Sequence, residues 1–325
     1  MARALAEGVR SEKWETALAA SVASPRPWPV SRARPVRLDN RQVTISSSSR
    51  RAVFLDIDGT LTDELGNVPP SAAAAIHAAQ SRGHLVFLAT GRSPLEIDPR
   101  VEEIGFDGMV AGAGAYVQHA GTWLVDLHLD EADARSLAAE LDDLGIDYSL
   151  QGRHGMHTTE GHRSRMRRLL TGFGYTDIEN SGLRHHVVDS GPMKFDQTAK
   201  VVFSSDDEAS FDRVQARLGS AYAIVGGTMP GLGNGGGEIS MRGVHKAAAI
   251  EALLPVLGLG LEDTIAVGDS GNDLEMLVAC GVGVAMGNGT AEAKAAADLV
   301  TGAVDEGGLH AAFVRLGLIE EHAGR

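Results

Sequence analysis

Two aspartates, Asp56 and Asp58, follow directly after the apolar run Ala52–Leu55. A short, continuous apolar run is typical of a strand covered on both faces, so the two carboxylates can lie only at its carboxyl end, where open α/β sheets bind ligands. Side chains two residues apart on an extended segment project to the same side. Two adjacent carboxylates repel each other, and their partial burial costs several kcal/mol each unless a cation compensates. We therefore expect a metal ion here, and hard oxygen ligands favour Mg²⁺.

A second acidic loop, Gly268–Asp273, follows the apolar run Thr264–Val267 in the same arrangement of strand and then acid. Its carboxylates, Asp269 and Asp273, would serve the same ion if both strands belong to one open α/β sheet. Either acidic motif taken alone also fits an Asx turn or a helix N-cap, where Asp and Gly are ordinary residues.

Two further polar groups stand beside these loops. Thr90-Gly91-Arg92 ends a third apolar run, and Lys246 opens a predicted helix that precedes the second acidic loop. Taken singly, Thr90 fits an N-cap and Lys246 an ordinary surface lysine. Together with the aspartates they fit phosphoryl transfer, which needs an in-line nucleophile, a metal that bridges phosphate oxygens, and cationic or hydroxyl groups around the equatorial oxygens. Arg92, at the same strand end as Thr90, is a candidate for substrate contact.

The chain from Arg51 onward alternates strands and helices, which is the arrangement that could bring these residues together. A helix is predicted to start at Pro69 and Pro70 and to stop near Gly83. Further buried strands are predicted at Leu85–Ala89, Met109–Ala111, Val282–Ala285 and Leu299–Val300. These spacings indicate parallel strands joined by crossovers, and therefore an α/β fold.

The pattern changes between residues 130 and 242, where a second, α+β domain is predicted to be inserted. Its predicted helices are Asp130–Leu144 and Asp206–Leu218, and its predicted strands are Tyr148–Leu150, His186–Val188, Lys200–Phe203 and Tyr222–Val225. A glycine-rich stretch, Gly231–Gly237, follows the last strand. We interpret it as a flexible loop rather than a phosphate cradle, because no Lys-Ser/Thr ends it.

The charge of the chain is divided unevenly. Residues 1–50 contain nine Lys and Arg, four Asp and Glu, and four prolines, so they form a basic leader of net charge +5 that is predicted to be disordered. The total is -14, so the remainder carries -19. A body this acidic repels nucleic acid and anionic membranes, and an anionic substrate would need a local cation or metal.

No apolar run approaches the roughly 20 residues of a membrane span. The single cysteine, Cys280, suits a reducing cytoplasm.

In their order along the chain, these motifs resemble those of the haloacid dehalogenase-like (HAD) hydrolases, and within them the Cof-type phosphatases with a large α/β cap of type IIB. The matching motifs are Asp56-x-Asp58-Gly59-Thr60, Thr90-Gly91-Arg92, Lys246 and Gly268-Asp269-x-x-Asn272-Asp273. The resemblance covers residues 51–325. It implies a Rossmann-like parallel-sheet core formed by residues 51–129 and 243–325, with the α+β cap, residues 130–242, inserted between the second and third motifs.

The resemblance also implies a role for each matching residue. Asp56 would attack phosphorus and form an aspartyl-phosphate, and Asp58 would act as general acid and base. The phosphoryl group would be held by Thr90, Gly91, Lys246 and Asn272. Mg²⁺ would be bound by Asp56, the backbone carbonyl of Asp58 and Asp269, with Asp273 in or just behind the metal shell.

Three positions depart from the family pattern and leave the identity of the substrate open. Ala113-Gly114-Ala115 stands where Asn-Gly-Ala is common, His245 precedes Lys246 where Ser is frequent, and Ala247 follows it where Gly is common. The expected protein is a cytoplasmic, Mg²⁺-dependent phosphatase whose partner is a small phosphorylated metabolite, with a sugar phosphate as the expected substrate. The alternatives are a phosphomutase that uses the same aspartyl-phosphate, and a catalytically idle protein that binds a phosphorylated ligand.

Overall fold

The computed structural model describes residues 50–175, 178–180, 182–188, 191–226 and 235–321. The predicted disordered leader therefore lies outside the described residues, apart from Arg50. Within the described residues, no helix combines the length and the apolar character that a bilayer span requires.

The described chain forms two sheets with their helices. The first segment contains β1 (Ala52–Leu55), α1 (Pro70–Ser81), β2 (Leu85–Ala89), α2 (Pro99–Glu102), β3 (Gly108–Ala111), β4 (Tyr116–His119) and β5 (Thr122–Asp126). The second contains α3 (Glu131–Asp143), β6 (Asp147–Gln151), β7 (Met156–Thr158), α4 (Glu160–Gly172), β8 (Lys200–Ser204), α5 (Ser210–Leu218), β9 (Tyr222–Gly226) and β10 (Gly236–Met241). The third contains α6 (Lys246–Leu257), β11 (Thr264–Gly268), α7 (Leu274–Ala279), β12 (Val282–Ala285), α8 (Ala291–Ala296), β13 (Leu299–Val300) and α9 (Gly308–Arg315).

The first and third segments together form the core, an eight-stranded sheet in the order β13-β12-β11-β1-β2-β3-β4-β5. The six strands from β13 to β3 are parallel, and β4 and β5 add an antiparallel hairpin at one edge that the sequence reading missed. Strand β1 lies in the middle, with β11 and β2 as neighbours. The predicted α/β fold with a Rossmann-like core is confirmed.

Strand β1 is central because its four residues are apolar and it is packed on both faces. Val53 and Leu55 pack into one apolar layer, which includes the buried face of α1, and Ala52 and Phe54 pack into the other. Phe54 stacks on Phe87 of β2 with 5.2 Å between ring centroids. A strand buried in this way can carry charged residues only beyond its ends.

The second segment forms the cap, an antiparallel sheet in the order β7-β6-β8-β10-β9. Helices α3 and α5 pack on one face through Leu137, Leu141 and Val214, which meet Leu150 and Phe203 of the sheet. This arrangement agrees with the predicted α+β cap.

Two details of the strand prediction in the cap were wrong. Residues 186–188 are not a strand, because the carbonyl of Arg184 accepts hydrogen bonds from the amides of Val187 and Val188 and closes a local turn instead. The glycine-rich stretch does not remain a loop to its end, since Gly236 and Gly237 begin β10 between β8 and β9. A Cβ on Gly237 would lie 2.7 Å from the Phe203 ring, so glycine here permits close packing. Residues 231–234 lie outside the described residues.

The predicted helix at Asp206–Leu218 begins later, at Ser210. The side chain of Asp207 accepts a hydrogen bond from the amide of Ala209, and Ser205 Oγ accepts one from the amide of Asp207. These local side-chain bonds hold residues 205–209 in turns, which compete with helical hydrogen bonding.

The cap is seated on the loop that follows β2. Lys200 Nζ donates to the Gly91 carbonyl at 2.8 Å, and Ser93 Oγ donates to the Gly152 carbonyl at 2.8 Å. His186 Nε2 lies 2.8 Å from Glu96 Oε1, and both side chains are buried. Residues 90–96 therefore serve as the junction between core and cap, and we call them the junction loop.

One buried group of the cap should make stability depend on pH. His162 on α4 is fully buried and contacts Ser204 Oγ through Nδ1 at 2.8 Å. Burial, together with the charges of His186 and Arg165, lowers the pKa of His162 to about 3. The unfolded chain takes up this proton near pH 6.5, whereas the folded chain does not, so the stability contribution is complete above that pH and is lost as the pH falls toward 3.

We expect this histidine to contribute about 2 kcal/mol to the loss of unfolding free energy between about pH 7.5 and about pH 5. His162→Gln removes the titrating group, so its unfolding free energy should fall less over that interval than that of the wild type. Urea denaturation at both pH values measures the difference, with the exposed His128→Gln as the matched control. Equal pH dependence in all three proteins would contradict this prediction.

Candidate active site

Three acidic or polar loops leave neighbouring parallel strands at one edge of the core sheet. Asp56 follows β1, Thr90 follows β2, and Asp269 follows β11. Leu55 is in register with Val267 and with Leu88, so the three strands end at nearly the same level. The Asp56 amide then donates to the Val267 carbonyl at 3.0 Å. The sheet thus brings together residues that are far apart in the chain.

Lys246 is the cation at the centre of this group. It is 1% exposed, and its Nζ lies 2.7 Å from Asp56 Oδ1 and 2.6 Å from Asp273 Oδ1. Burial alone would lower the pKa of Lys246, but the charges of Asp273 and Asp56 outweigh it and raise the pKa above the ordinary value. Lys246 is therefore a permanently charged, buried lysine and not the surface lysine that its position alone would allow.

His245 and Gly114 fix the position of Lys246 at the start of α6. His245 is the N-cap, and its Nδ1 accepts a hydrogen bond from the Ala248 amide at 3.2 Å, so the histidine caps the helix. Gly114 lies against this turn with φ +107°, and a Cβ there would come within 2.5 Å of the His245 carbonyl oxygen. Glycine at position 114 therefore allows the helix start to approach the end of β3.

Asp273 stabilises the second acidic loop from within. Its Oδ2 accepts hydrogen bonds from the amides of Asp269 and Ser270 at 2.9 and 3.1 Å, while its Oδ1 contacts Lys246. The residue is completely buried. Both carboxylate oxygens are therefore engaged, and the bonds to the backbone hold Asp269 in place.

Asp269 is held against the first acidic loop by Gly59 and Thr60 of the first motif, and Asn288 fixes that loop. Thr60 Oγ1 donates to Asp269 Oδ1 at 3.3 Å. Asn288 Nδ2 donates to the Gly59 carbonyl at 2.7 Å, and its Oδ1 accepts from the Val304 amide. Gly59 has φ +76°, and a Cβ there would lie 2.6 Å from Asp269 Oδ2. Asn288 lies in Ala285-Met286-Gly287-Asn288-Gly289, which also resembles the family's loop after this strand, β12, but its contact with Gly59 joins distant parts of the chain.

The charge balance of the cluster fits a divalent cation. Asp56, Asp269 and Asp273 can each offer one carboxylate oxygen within 4.8 Å of the others. Burial and the charge of Asp273 raise the pKa of Asp269 to about 7, and the same two causes raise the pKa of Asp56 well above its ordinary value. Three clustered carboxylates with one lysine have an excess of negative charge, and hard oxygen donors of this kind suit Mg²⁺.

The carboxylate of Asp58 lies apart from this three-oxygen group. Its Oδ2 accepts from Arg92 Nε at 2.8 Å and its Oδ1 from Arg92 Nη2 at 2.5 Å, and its side chain is 59% exposed. Arg92 also donates to the Glu96 carbonyl at 2.8 Å. The predicted substrate-contacting arginine therefore contacts the predicted acid and base in this structure.

The residues predicted to bind phosphate lie on facing loops. Thr90 is buried, and its Oγ1 accepts a hydrogen bond from the Arg92 amide at 3.1 Å. A Cβ on Gly91 would lie 3.3 Å from Asn272 Nδ2, so these two residues are close neighbours. Asn272 Oδ1 accepts from Ser270 Oγ at 3.0 Å. The Asn272 amide group thus faces the junction loop from the second acidic loop.

Glu96 is a further residue of this region that the sequence reading missed, although Ser93-x-x-Glu96 is a capping-box pattern. Its Oε2 accepts from the Ser93 amide at 2.7 Å. Burial alone would raise the pKa of Glu96, but the hydrogen bond from His186 and the charges of His186 and Lys200 lower it to about 2. Glu96 is thus an ionised, buried carboxylate that fixes the shape of the junction loop.

Comparison with known proteins agrees with this arrangement. The family model of the haloacid dehalogenase-like hydrolases matches residues 53–313. YkrA of Bacillus subtilis, whose name describes it as a phosphatase, is 30% identical over 280 residues, 83% of this chain and 99% of YkrA. The HMP-PP phosphatase of Escherichia coli is 28% identical over 256 residues, 76% of this chain and 87% of that protein.

Solved structures share the fold. A protein from Geobacillus kaustophilus HTA426 is 28% identical, with a TM-score of 0.71 over 83% of this chain and 100% of that one. The sugar phosphatase BT4131, of HAD subclass IIB, is 25% identical, with a TM-score of 0.69 over the same shares. The chain therefore belongs to the haloacid dehalogenase-like hydrolase family, as a phosphatase of the kind that carries an inserted α+β cap, which confirms the family predicted from its four motifs.

Proposed function

We propose that this phosphatase depends on Mg²⁺ and hydrolyses a small phosphorylated metabolite, a sugar phosphate, through an aspartyl-phosphate on Asp56. The observation that carries the proposal is the position of Asp56, a buried carboxylate at the carboxyl end of the central strand that contacts Lys246 and lies beside Asp269 and Asp273. The similarity to a sugar phosphatase and to an HMP-PP phosphatase supports a small substrate.

Asp56 acts as the nucleophile in this proposal. Lys246 binds its Oδ1, which keeps the carboxylate oriented and offsets the repulsion between it and an incoming phosphate dianion. A carboxylate oxygen of Asp56 forms a bond to phosphorus while the bond from phosphorus to the leaving oxygen breaks. Thr90, Gly91 and Asn272 line the same edge of the sheet and would hold the remaining phosphoryl oxygens.

Asp58 acts as general acid and then as general base. It donates a proton to the leaving oxygen, and later accepts one from the water that hydrolyses the aspartyl-phosphate, a role worth on the order of 10²–10⁴ in rate. Because Arg92 binds both carboxylate oxygens of Asp58, it must release at least one of them before Asp58 carries a proton. Arg92 is thus a positioning residue for Asp58 in addition to a candidate substrate contact.

The metal would be held by Asp56 and Asp269, with the backbone carbonyl of Asp58 as a further ligand and Asp273 as the group that orients Asp269. When bound, Mg²⁺ supplies charge neutralisation for the phosphate oxygens. The protein groups that fix these carboxylates are Thr60, the Ser270 amide and Lys246.

The proposal also assigns the parts of the chain. Residues 51–129 and 243–325 are the catalytic core, residues 130–242 are the cap, and residues 1–50 are a leader that the chemistry does not need. The cap lies directly on the junction loop, so it would exclude bulk water and protein-sized phosphoesters from Asp56. A cytoplasmic location is supported by the single cysteine, Cys280, which is buried and free.

We expect Asp56→Asn to lower the release of inorganic phosphate from sugar phosphates by at least about 10³-fold, because an amide oxygen is a poor nucleophile. The measurement is a free-phosphate assay with Mg²⁺ on a panel of sugar phosphates. Asp305→Asn, the same change at an exposed aspartate of the core, is the control and should keep wild-type activity.

The same panel separates the alternatives. Isomerised product without free phosphate would show a phosphomutase. Binding of sugar phosphates without turnover on any of them, or on 4-nitrophenyl phosphate, would show an idle binding protein. Unchanged phosphate release by Asp56→Asn would contradict the proposed nucleophile.

Mg²⁺ should stabilise the wild-type protein against unfolding as well as support its activity. At a concentration about 100 times its Kd, the ion would add about 2.7 kcal/mol to the unfolding free energy. Asp269→Asn should lose most of this gain. Without metal, the variant should be more stable than the wild type, because it removes a carboxylate that burial and Asp273 disfavour. Urea denaturation with EDTA and with Mg²⁺ measures both effects, and equal stabilisation of the two proteins by Mg²⁺ would contradict the assignment.

A further inference from the structure

One face of the cap sheet is apolar, and the opposite face carries polar and charged side chains. Leu150, Val201 and Ile239 point toward helices α3 and α5 and belong to the apolar core of the cap. Side chains alternate along a strand, so the neighbouring residues Gln151, Lys200 and Glu238 lie on the opposite face. Gln151 is directly opposite Lys200 in the register of β6 and β8, which places both side chains on the same side.

This polar face meets the core at the junction loop. Lys200 Nζ donates to the Gly91 carbonyl, and the residue after Gln151, Gly152, accepts from Ser93 Oγ. Gly91 follows Thr90 and precedes Arg92, whose guanidinium holds Asp58. The polar face therefore lies beside the loop that carries Thr90 and Gly91 of the proposed phosphate site and Arg92, which contacts Asp58.

No structural role explains the buried side-chain amide of Gln151. It is 2% exposed, and within the described part of the chain neither atom of its side-chain amide has a hydrogen-bond partner. A buried amide without partners destabilises a fold, whereas an apolar side chain of the same size would not. A ligand that supplies the missing hydrogen bonds explains why an amide stands at this position.

Lys200 and Glu238 add charge to the same place. Their side chains are 5% and 17% exposed and lie 3.1 Å apart. Lys200 is buried and Glu238 is partly buried, and such an ion pair contributes little net stability compared with apolar packing, which is consistent with a role in recognition. Together the three side chains offer two amide donors and an amide acceptor from Gln151, the one ammonium donor of Lys200 that Gly91 and Glu238 leave over, and the second carboxylate oxygen of Glu238 as an acceptor.

We propose that Gln151, Lys200 and Glu238 form the subsite for the leaving group of the substrate and select leaving alcohols that carry several hydroxyl groups. This inference rests on the proposed phosphatase function and adds the residues that set its specificity. Mixed donors and acceptors match hydroxyl groups, each of which donates and accepts. A site built for such groups discriminates against leaving groups without them, because its buried polar atoms would then stay unpaired.

The test compares hydrolysis of a hexose 6-phosphate with that of 4-nitrophenyl phosphate, whose leaving group lacks the sugar hydroxyls. Gln151→Met keeps the side-chain length and removes the amide. It should lower kcat/KM for the hexose 6-phosphate about 10- to 100-fold and that for 4-nitrophenyl phosphate by less than about 3-fold. Its Tm should not fall. Gln215→Met makes the same change at an exposed glutamine of α5 and should leave both reactions unchanged.

A binding measurement separates this inference from the proposed function. Calorimetry on the Asp56→Asn variant measures the affinity for the hexose 6-phosphate without turnover. Adding Gln151→Met to this variant should weaken that affinity at least about 10-fold. If the wild type releases no phosphate but this loss of affinity is seen, the phosphatase function fails and the subsite stands. If phosphate is released and Gln151→Met lowers both reactions equally, or only lowers Tm, the subsite is overturned.

Discussion

The contact of Lys246 with Asp56 and Asp273 is the interaction on which the rest of the structure depends. It joins residues 190 positions apart in the chain and places one positive charge among buried carboxylates. Removing Lys246 would leave the buried carboxylates without their cation, and such a loss destabilises a protein by about 3–5 kcal/mol. The fold satisfies this constraint in detail, since Gly114 allows the start of α6 to approach and His245 caps the helix that carries Lys246.

The same constraint explains how an acidic protein can hold a phosphorylated substrate. The net charge of the chain is -14, but the carboxylates at the sheet edge converge on one place, where they suit a divalent cation. Three cations, Lys246, Arg92 and Lys200, lie around this place with side chains that are largely buried. In such surroundings they act more strongly than surface charges, because little water screens them. The electrostatics of the site is therefore local, since these buried cations, together with a divalent ion on the carboxylates, would offset the negative charge there.

The junction loop contacts the cap on one side and the proposed catalytic residues on the other. Thr90, Gly91 and Arg92 belong to the catalytic edge, while Gly91, Ser93 and Glu96 contact the cap through Lys200, Gly152 and His186. A change in the seating of the cap would therefore be transmitted to Arg92, and through Arg92 to Asp58. One short segment thus carries both the residues proposed to bind phosphate and the contact with the cap.

The sequence by itself determined the α/β fold, the strands that carry the catalytic motifs and the residues that meet at the sheet edge, because short apolar runs followed by acids leave few other arrangements. Within the cap it failed at His186–Val188 and at Gly236 and Gly237, where local turns and a glycine packed against Phe203 outweigh residue propensity. Only the tertiary structure showed that Arg92 binds Asp58 and that Asn288 holds the Gly59 loop. It also showed that, among the residues it describes, the side chain of Gln151 beside Lys200 has no hydrogen-bond partner. These contacts join residues distant in the chain, and their geometry follows from how the sheets pack rather than from any local spacing.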